Sequence, residues 1–347
     1  MGQKCCPQTS DCCPGSVEKD MPHENVTTVS TSLTFRDILG GWKVRWGIGR
    51  MSYTVESGLY AVGKPTGDSP VLVSANYKLT FDVLRKNLSG LDCWLLILDT
   101  KGVNVWCAAG KGTFGTDELV NRIETVGLSE VVAHKKLILP QLGAPGISAH
   151  EVTRRTGFSV LYGPVRASDI KAFLSSDCRA TKEMRRVRFT LWDRLVLTPI
   201  ELVEVAKIAL KVFGVLFLIN LFATRPFGMN DVLAYAASVL IGAVITPALL
   251  PFIPGKSFAF KGWLLGVIGT ACIAWGYGWF APSALLLGIG YMLVLPAHSA
   301  FLAMNFTGAS TYTSPSGVLK EMKIALPLIL LSTFVGAILI LIKAFLG

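Results

Sequence analysis

Two patterns of apolar positions divide the chain near residue 200. Before that point, short apolar runs alternate with amphipathic segments, and the runs are PVLVSAN (70–76), CWLLILD (93–99), KLILPQ (136–141) and FSVLYGP (158–164). Strand-like and helical segments in alternation predict parallel strands joined by crossover helices. After that point, longer apolar runs approach the roughly 20 residues that cross a bilayer as helix, at about 205–224, 232–253, 262–281, 284–304 and 324–346. The pattern predicts a doubly wound α/β domain followed by an all-α transmembrane domain of five helices.

In a doubly wound domain, ligands bind outside the carboxyl ends of the parallel strands. The predicted strands end at Asn76, Asp99, Gln141 and Gly163. We therefore expect Asn76, Gln141 and Gly163 to lie at a ligand-binding edge, together with the stretch NVWCAAGKG (104–112) that follows Asp99.

Composition and charge support a membrane protein. The chain has 347 residues, is 51% hydrophobic and has a mean hydropathy of +0.51, which is too apolar for an ordinary soluble protein. If five helices span the membrane, twelve basic residues fall on one side: Arg179, Lys182, Arg185, Arg186, Arg188, Arg194, Lys207, Lys211, Lys256, Lys261, Lys320 and Lys323. Only Arg225 and Lys343 fall on the other. The asymmetry predicts a protein of the cytoplasmic membrane, with its N-terminal domain in the cytoplasm and its C-terminus on the outer side of the membrane. The net charge of +10 then reflects topology and attraction to anionic lipids, not nucleic-acid binding.

The N-terminal stretch MGQKCCPQTSDCCPGSVEKD contains two cysteine pairs, Cys5 with Cys6 and Cys12 with Cys13. Thiolates prefer soft metal ions, so one interpretation is a soft-metal site. The spacing matches neither a zinc ribbon nor a cluster ferredoxin, so a dispensable tail is the alternative. We expect free thiols in a reducing cytoplasm.

Three interpretations compete for NVWCAAGKG. Gly110, Gly112 and Gly115 match the dinucleotide pattern G-x-G-x-x-G, although WCAA is a poor strand to precede it. A P-loop is excluded because Lys111 is followed by Gly112, not by Ser or Thr. The third interpretation is a short helix that begins after Asn104 as its N-cap and is ended by Gly110.

In that helix Cys107 lies in the first turn, where free amide hydrogens and the helix dipole favour an anion. An exposed thiolate there would be a metal ligand or a nucleophile. A nucleophile would need a base, and although no histidine lies near in sequence, the fold could bring His134 or His150 close. Ala108 and Ala109 would let a flat, large group approach closely. The alternative is a buried cysteine that acts as a small hydrophobe.

NVWCAAGKG closely resembles the signature of the HgcA family of mercury-methylating corrinoid proteins, which also end in a membrane domain of about five helices. The wider span from GLYAVGKPTGDSPVLVSANYKLTFDVLR to LDCWLLILDTKGVNVWCAAGKGTFGTDELV resembles the corrinoid-binding domain of the corrinoid iron-sulfur protein large subunit, over roughly residues 52–174.

The resemblance implies a Rossmann-like corrinoid-binding domain with a cobalamin-type cofactor and residues 104–111 as a cap helix under the corrin ring. It implies Cys107 as the lower axial ligand to cobalt and as the catalytic residue. A thiolate ligand donates charge to the metal, which favours methyl transfer to electrophilic Hg(II). The remaining residues of this implied binding site are Asn104, Val105, Trp106, Ala108, Ala109, Gly110 and Lys111.

The resemblance also implies partners. The chain has no D-x-H-x-x-G motif for a histidine-ligated corrinoid and no N-terminal cluster motif of its own. A separate ferredoxin-like iron-sulfur protein of the HgcB type is therefore implied as reductant and Hg(II) donor, with a folate-linked methyltransferase as methyl donor.

These expectations define four segments: a Cys-containing tail and lead-in (1–50), a corrinoid-binding domain (51–178), a basic linker (179–200) and a transmembrane domain (201–347). The predicted function is a membrane-anchored corrinoid methyltransferase that forms methylmercury. The alternatives are a methyl carrier of one-carbon and acetyl-CoA metabolism, and a transporter with a nucleotide-binding domain. His298, inside the fourth predicted span, is either functional or a hydrogen-bonded structural residue.

Overall fold

The structure is a computed structural model that describes residues 26–309 and 315–346. These residues divide into two compact units, one with residues 26–33 and 54–185 and the other with residues 34–53 and 186 onward. Cys5, Cys6, Cys12 and Cys13 lie outside the described residues, so the soft-metal interpretation stays a prediction.

The first unit is built on a six-stranded sheet in the order β1-β2-β4-β3-β5-β6. The strands are β1 (Thr27–Thr28), β2 (Gly58–Val62), β3 (Val71–Ala75), β4 (Cys93–Leu98), β5 (Lys136–Leu139) and β6 (Ser159–Tyr162). The last four are parallel to one another, as predicted from their apolar runs.

The sheet is not wholly parallel, because β2 pairs antiparallel with β4. Only residues 63–70 join β2 to β3, and they form no helix. A connection this short cannot return the chain to the opposite edge, as a parallel pairing requires. The chain therefore stays at the amino edge of β3, and β2 runs in the opposite direction.

Helices cover both faces of this sheet. In chain order the α-helices of the described residues are α1 (Phe35–Arg45), α2 (Lys78–Asn87), α3 (Val105–Lys111), α4 (Thr116–Thr125), α5 (Leu128–Val131), α6 (Ala149–Thr156), α7 (Ile170–Ser175), α8 (Leu191–Leu195), α9 (Thr198–Asn220), α10 (Met229–Leu240), α11 (Thr246–Leu249), α12 (Phe258–Gly276), α13 (Leu285–Asn305) and α14 (Pro315–Leu346). Because strand side chains alternate, Trp94, Leu96 and Leu98 pack with α3 to α6 on one face of β4. Leu95 and Ile97 pack with α2 and α7 on the other.

The second unit contains four candidate membrane spans among the described residues, not five. They are Met229–Leu249, Phe258–Gly276, Leu285–Asn305 and Ser316–Leu346. The segment expected as the first span forms α9, but every 18-residue stretch of α9 holds at least three of Glu201, Glu204, Lys207 and Lys211. Charged side chains are costly in hydrocarbon. An outside C-terminus follows only if α9 crosses in addition to these four.

Close helix contacts in the second unit depend on small residues. A Cβ added at Gly266 of α12 would meet Pro296 Cα of α13 at 2.8 Å. A Cβ at Gly336 of α14 would meet the Gly290 carbonyl of α13 at 2.7 Å. His298 of α13 hydrogen-bonds through Nδ1 to Ser238 Oγ at 3.0 Å and stacks on Tyr235, so it is a packed, hydrogen-bonded residue.

Candidate functional site

The turn after β4 is held by one buried side chain, Asn76, at the end of β3. Asn76 Oδ1 accepts hydrogen bonds from Thr100 N at 3.1 Å, from Thr100 Oγ1 at 2.9 Å and from Gly102 N at 3.1 Å. Its Nδ2 donates to Asp99 Oδ1 at 3.1 Å. Only 7% of Asn76 is exposed, so this strand-end residue positions the turn that leads to α3.

Asp99 closes the same turn from the solvent side. Its Oδ1 accepts from Lys101 N at 3.0 Å, and its Oδ2 lies 3.0 Å from Lys101 Nζ. These bonds from Lys101 favour the ionised carboxylate and lower the pKa of Asp99. The Asp99 backbone N–H donates to Glu118 Oε1 at 2.8 Å, which ties the turn to α4.

Helix α3 begins at the residue predicted from the sequence, but it extends two residues beyond its predicted end. Asn104 is the N-cap, and its side chain accepts from Cys107 N at 2.9 Å. Gly110 does not end the helix. Gly112 does, because it adopts the left-handed conformation with φ of 81°, which costs glycine no Cβ clash. Since α3 passes through Gly110, the first glycine of the G-x-G-x-x-G match lies inside a helix and does not follow directly on a strand, so the dinucleotide-binding arrangement is not formed.

The two faces of α3 have different surroundings. Val105, Ala108 and Ala109 are buried against the sheet and the 3₁₀ segment Gln141–Gly146. A Cβ added at Gly146 would meet Ala109 Cα at 3.0 Å, so this segment lies directly on the helix. The close approach expected at the two alanines is therefore made by the chain itself.

The opposite face of α3 is open. Trp106, Cys107, Gly110 and Lys111 are exposed, and a Cβ added at Gly110 would meet nothing within 4 Å. Cys107 and Gly110 are three residues apart and therefore neighbours on this face. The thiol lies beside a gap in the helix surface, and the buried-cysteine alternative is wrong.

Two polar atoms near α3 are buried without a hydrogen-bond partner, namely Thr113 Oγ1 and Gln141 Oε1. Buried oxygens without partners are rare in folded proteins and point to a missing donor. Thr113 follows the C-cap of α3, and Gln141 begins the segment that packs on the helix. Gly163 directly follows β6, but a Cβ there would meet Ile138 Cγ2 at 3.0 Å, so this residue faces the core.

Neither histidine expected as a base is seen to contact Cys107. His134 Nε2 lies 2.9 Å from the Ser69 carbonyl, and Lys136 N donates to His134 Nδ1 at 3.2 Å. These contacts hold His134 at the amino edge of β3 and β5, the edge opposite α3. His150 is exposed on α6. Within residues 26–309 and 315–346, no group of three or more His, Cys, Asp or Glu residues could hold a metal ion.

Residues 48–174 match a protein-family model described as CdhD, the CO dehydrogenase/acetyl-CoA synthase delta subunit. The matched stretch contains the sheet from β2 to β6 and the whole of α3. Similar curated proteins carry the name acetyl-CoA decarbonylase/synthase complex subunit gamma. The Methanopyrus kandleri protein is 34% identical over 125 residues, which are 35% of this chain and 27% of the relative. The Methanosarcina acetivorans protein is 32% identical over 132 residues, which are 37% of this chain and 28% of the relative.

The α/β unit is homologous to these subunits. The Archaeoglobus fulgidus protein agrees, with 34% identity over 130 residues, 37% of this chain and 27% of the relative. The chain thus spans little more than a quarter of the relatives that it matches. The residues that match the family model, 48–174, lie almost entirely in the α/β unit, and the second unit from residue 186 onward lies outside them.

Sequence reasoning found the helix and its exposed cysteine but missed the segment that supports them. Gly143 and Gly146 directly flank Ala144 and Pro145 in QLGAPG, and this pair of glycines was a usable signal of close backbone packing. A Cβ added at Gly143 would meet the Phe114 ring at 2.5 Å. The unpartnered Thr113 oxygen had no sequence signal, because its burial depends on the fold.

Proposed function

We propose that this chain is a membrane-anchored corrinoid methyltransferase that transfers a methyl group to Hg(II). The observation that carries the proposal is Cys107, an exposed thiol on a short capped helix at the carboxyl edge of the sheet, within the stretch that is homologous to acetyl-CoA decarbonylase/synthase subunits. Those homologues are corrinoid-binding subunits, and the NVWCAAGKG signature favours mercury as the acceptor.

The residues around α3 fit a corrinoid. Its flat macrocycle requires an unobstructed surface, and Gly110 leaves open space beside Cys107. Its peripheral amides are hydrogen-bond donors, and Gln141 Oε1 and Thr113 Oγ1 are buried acceptors without a partner. When bound, the corrinoid supplies the cobalt centre that accepts and releases the methyl group.

Each residue of the signature then has a role that follows from its surroundings. Cys107 would hold the cobalt through its sulfur. Asn104 fixes the Cys107 backbone, and Val105, Ala108 and Ala109 anchor the helix in the core. These supporting contacts set the orientation of the ligand, as outer-shell partners do in metal sites.

Trp106 and Lys111 lie on the exposed side of α3. Trp106 directly precedes Cys107 in the sequence, and Lys111 directly follows Gly110. We propose that they contact the edge and the side chains of the macrocycle. We propose that Asn76 does not contact the macrocycle itself but supports α3 indirectly, by holding the turn at residues 99–103 that precedes the helix.

The proposed partners are those that the resemblance to the HgcA family implies. A ferredoxin-like iron-sulfur protein of the HgcB type would reduce the cofactor and deliver Hg(II), and a folate-linked methyltransferase would supply the methyl group. We propose that the α/β unit faces the cytoplasm, because basic residues are concentrated between it and the first candidate span.

The test is a mercury-methylation assay in cells that express either wild type or Cys107→Ala at matched protein levels. We expect methylmercury formation to be lost in Cys107→Ala. Cys178→Ala is the matched control, since Cys178 belongs to the same unit but lies after α7, away from α3. Undiminished methylmercury with Cys107→Ala would overturn the ligand role.

The homology itself favours a second candidate, a corrinoid methyl carrier of one-carbon and acetyl-CoA metabolism. The two candidates differ in the acceptor. Purified protein that is loaded with methylcobalamin would methylate Hg(II) under the first proposal. Under the second it would pass the methyl group only to an acceptor of acetyl-CoA synthesis.

A further inference from the structure

Helix α1 presents an apolar stripe that nothing in the described chain covers. Its large apolar residues are unusually exposed, with 77% for Phe35, 50% for Ile38, 43% for Leu39, 61% for Trp42 and 38% for Trp46 at the C-cap. At 100° per residue these five positions fall within an arc of about 100°. Sequence reasoning assigned this segment to a lead-in and missed the stripe.

The opposite side of α1 packs on the protein. Gly41 and Val44 are buried, and a Cβ added at Gly40 would meet the Tyr53 ring at 2.8 Å. The Thr34–Asp37 capping box fixes the start of the helix, with Thr34 N donating to Asp37 Oδ2 at 2.9 Å. The stripe therefore faces outward because the other side is already in use.

Basic residues border the stripe on both sides. The exposed Arg36 and Lys43 project about 80° to 100° to one side of its centre, and Arg45, which is half-buried, projects about 80° to the other. An apolar stripe with tryptophans and flanking Lys and Arg is typical of a helix that lies in the plane of a membrane interface. The same flanks oppose pairing with a second copy, because like charges would face each other.

The position of α1 agrees with a membrane interface. This helix belongs to the unit that contains all four candidate spans. A Cβ added at Gly47, just after α1, would meet Ile200 Cγ1 at 3.9 Å, so the end of α1 lies beside the first turn of α9. All the charged residues of α9 are within its first 14 positions, at the polar end of that helix.

We propose that α1 is an interfacial anchor whose Phe35–Trp46 stripe inserts into the headgroup region of an anionic bilayer. It lies in the chain between β1 and β2 of the α/β unit, whereas α8, with Trp192 at 72% exposure, follows that unit. Residues 54–185 of the α/β unit are thus flanked in sequence by α1 and α8, both of which expose large apolar side chains. This inference does not depend on the corrinoid or on mercury.

The test uses the full chain in vesicles of phosphatidylcholine and phosphatidylglycerol at 3:1 with a trace of photoactivatable lipid. One probe carries its diazirine near the headgroup and the other near the end of the acyl chain, and labelled residues are mapped by mass spectrometry. We expect the shallow probe to label α1 and the deep probe to spare it, while the deep probe labels α14. Helices α4 and α6 of the α/β unit should take no label from either probe.

A paired substitution tests the stripe directly. Leu39→Glu with Trp42→Glu should lower shallow labelling of α1 at least fivefold and leave α14 labelling unchanged, which also reports that the bundle is intact. The matched control, Asn121→Glu with Ser129→Glu on exposed positions of α4 and α5, should leave α1 labelling unchanged. Replacing phosphatidylglycerol by phosphatidylcholine should lower α1 labelling at least threefold.

Three results would overturn the proposal. One is an α1 that takes no shallow label while α14 is labelled. Another is equal α1 labelling with and without anionic lipid. The third is a cross-link between the α1 helices of two copies in place of lipid label, which would assign the stripe to a dimer.

Discussion

The Asn104 side chain and the Cys107 backbone are joined by a hydrogen bond of 2.9 Å from Cys107 N to Asn104 Oδ1. The residue that begins α3 therefore also fixes the residue that carries the exposed thiol. Side-chain acceptors at the N-cap satisfy amide donors that the helix itself leaves unpaired. The geometry of the thiol thus depends on a polar residue three positions before it.

Replacing Asn104 by alanine removes this cap. We expect Asn104→Ala to lower the free energy of unfolding by about 1 kcal/mol and to speed hydrogen exchange at the amides of α3. Asn104→Asp keeps an acceptor and should retain most of the stability. Asn121→Ala, at an exposed position inside α4, is the control, and its effect should stay within about 0.5 kcal/mol. Equal losses at both positions would show that the cap contributes nothing specific.

The sequence predicted the parts of the fold that depend on local pattern. The four apolar runs became β3 to β6, within one or two residues at each end, because buried parallel strands are continuous apolar segments. Asn104 was identified as the N-cap because capping depends on one residue type at one position. The bounds of these elements could be read without knowing their neighbours.

What the sequence did not predict depends on tertiary contacts. Strand β1 is two residues long and exists only because Thr27 and Thr28 pair with β2. The small side chains of Ala108 and Ala109 predicted the close approach of a ligand, but Gly146 and its neighbours occupy that space. The first predicted span, 205–224, is not among the candidate spans, because the prediction counted the apolar residues after Lys211 without the charged residues at the start of the same helix.

Among the polar residues that hold the turn before α3, Asn76 is expected to lower the free energy of unfolding most when it is replaced. Asn76→Ala would leave the buried N–H groups of Thr100 and Gly102 without their acceptor. Each unsatisfied buried group costs about 1 to 3 kcal/mol, so we expect a loss of about 2 kcal/mol or more in unfolding experiments. Asn87→Ala is the control, because Asn87 is a half-buried asparagine at the end of α2 whose side chain donates to the Val83 carbonyl of the same helix. A loss at Asn76 no larger than at Asn87 would contradict the assignment.

Asp99 should make the stability of the turn depend on acidic pH. Its pKa is lowered in the folded state by the hydrogen bonds from Lys101, so the bonds contribute stability above the unfolded pKa of about 3.9. That contribution is lost as the pH falls through the folded pKa. We expect wild type to be more stable than Asp99→Asn at pH 7, with the difference shrinking below about pH 4. A constant difference from pH 7 to pH 3 would contradict this linkage.

The cysteines of the α/β unit should differ widely in alkylation rate. Burial, with a smaller effect of the Asp92 carboxylate, raises the pKa of Cys93 to about 12, and its side chain is inaccessible. Cys93 should therefore react with iodoacetamide at pH 8 only when the unit unfolds, whereas the exposed Cys107 should react at once. Peptide mass spectrometry over time measures each site separately.

Corrinoid binding adds a second outcome to the alkylation experiment. If Cys107 binds cobalt, loading with cobalamin should slow its alkylation at least tenfold. The rate at the half-buried Cys178 should not change, since burial rather than a ligand limits its reactivity and raises its pKa. Equal protection of both cysteines would indicate a general tightening of the unit instead of ligation.

Gly110 allows the stability of α3 and the binding of the macrocycle to be separated. Its backbone is helical, and a Cβ would meet nothing within 4 Å, so Gly110→Ala is compatible with the fold. Alanine is favoured over glycine inside a helix by about 0.5 to 1 kcal/mol. We therefore expect the cofactor-free protein to become more stable.

The same methyl group would project beside Cys107, on the face where the macrocycle is proposed to lie. We expect Gly110→Ala to weaken cobalamin binding at least tenfold, as measured by the absorbance of the bound corrinoid, even though the cofactor-free chain is more stable. Gly214→Ala in α9 is the matched control, because Gly214 is also helical with open space at Cβ, and it should leave binding unchanged. Higher stability with undiminished binding in Gly110→Ala would mean that the macrocycle does not approach this face of α3, since no destabilised fold could account for that result.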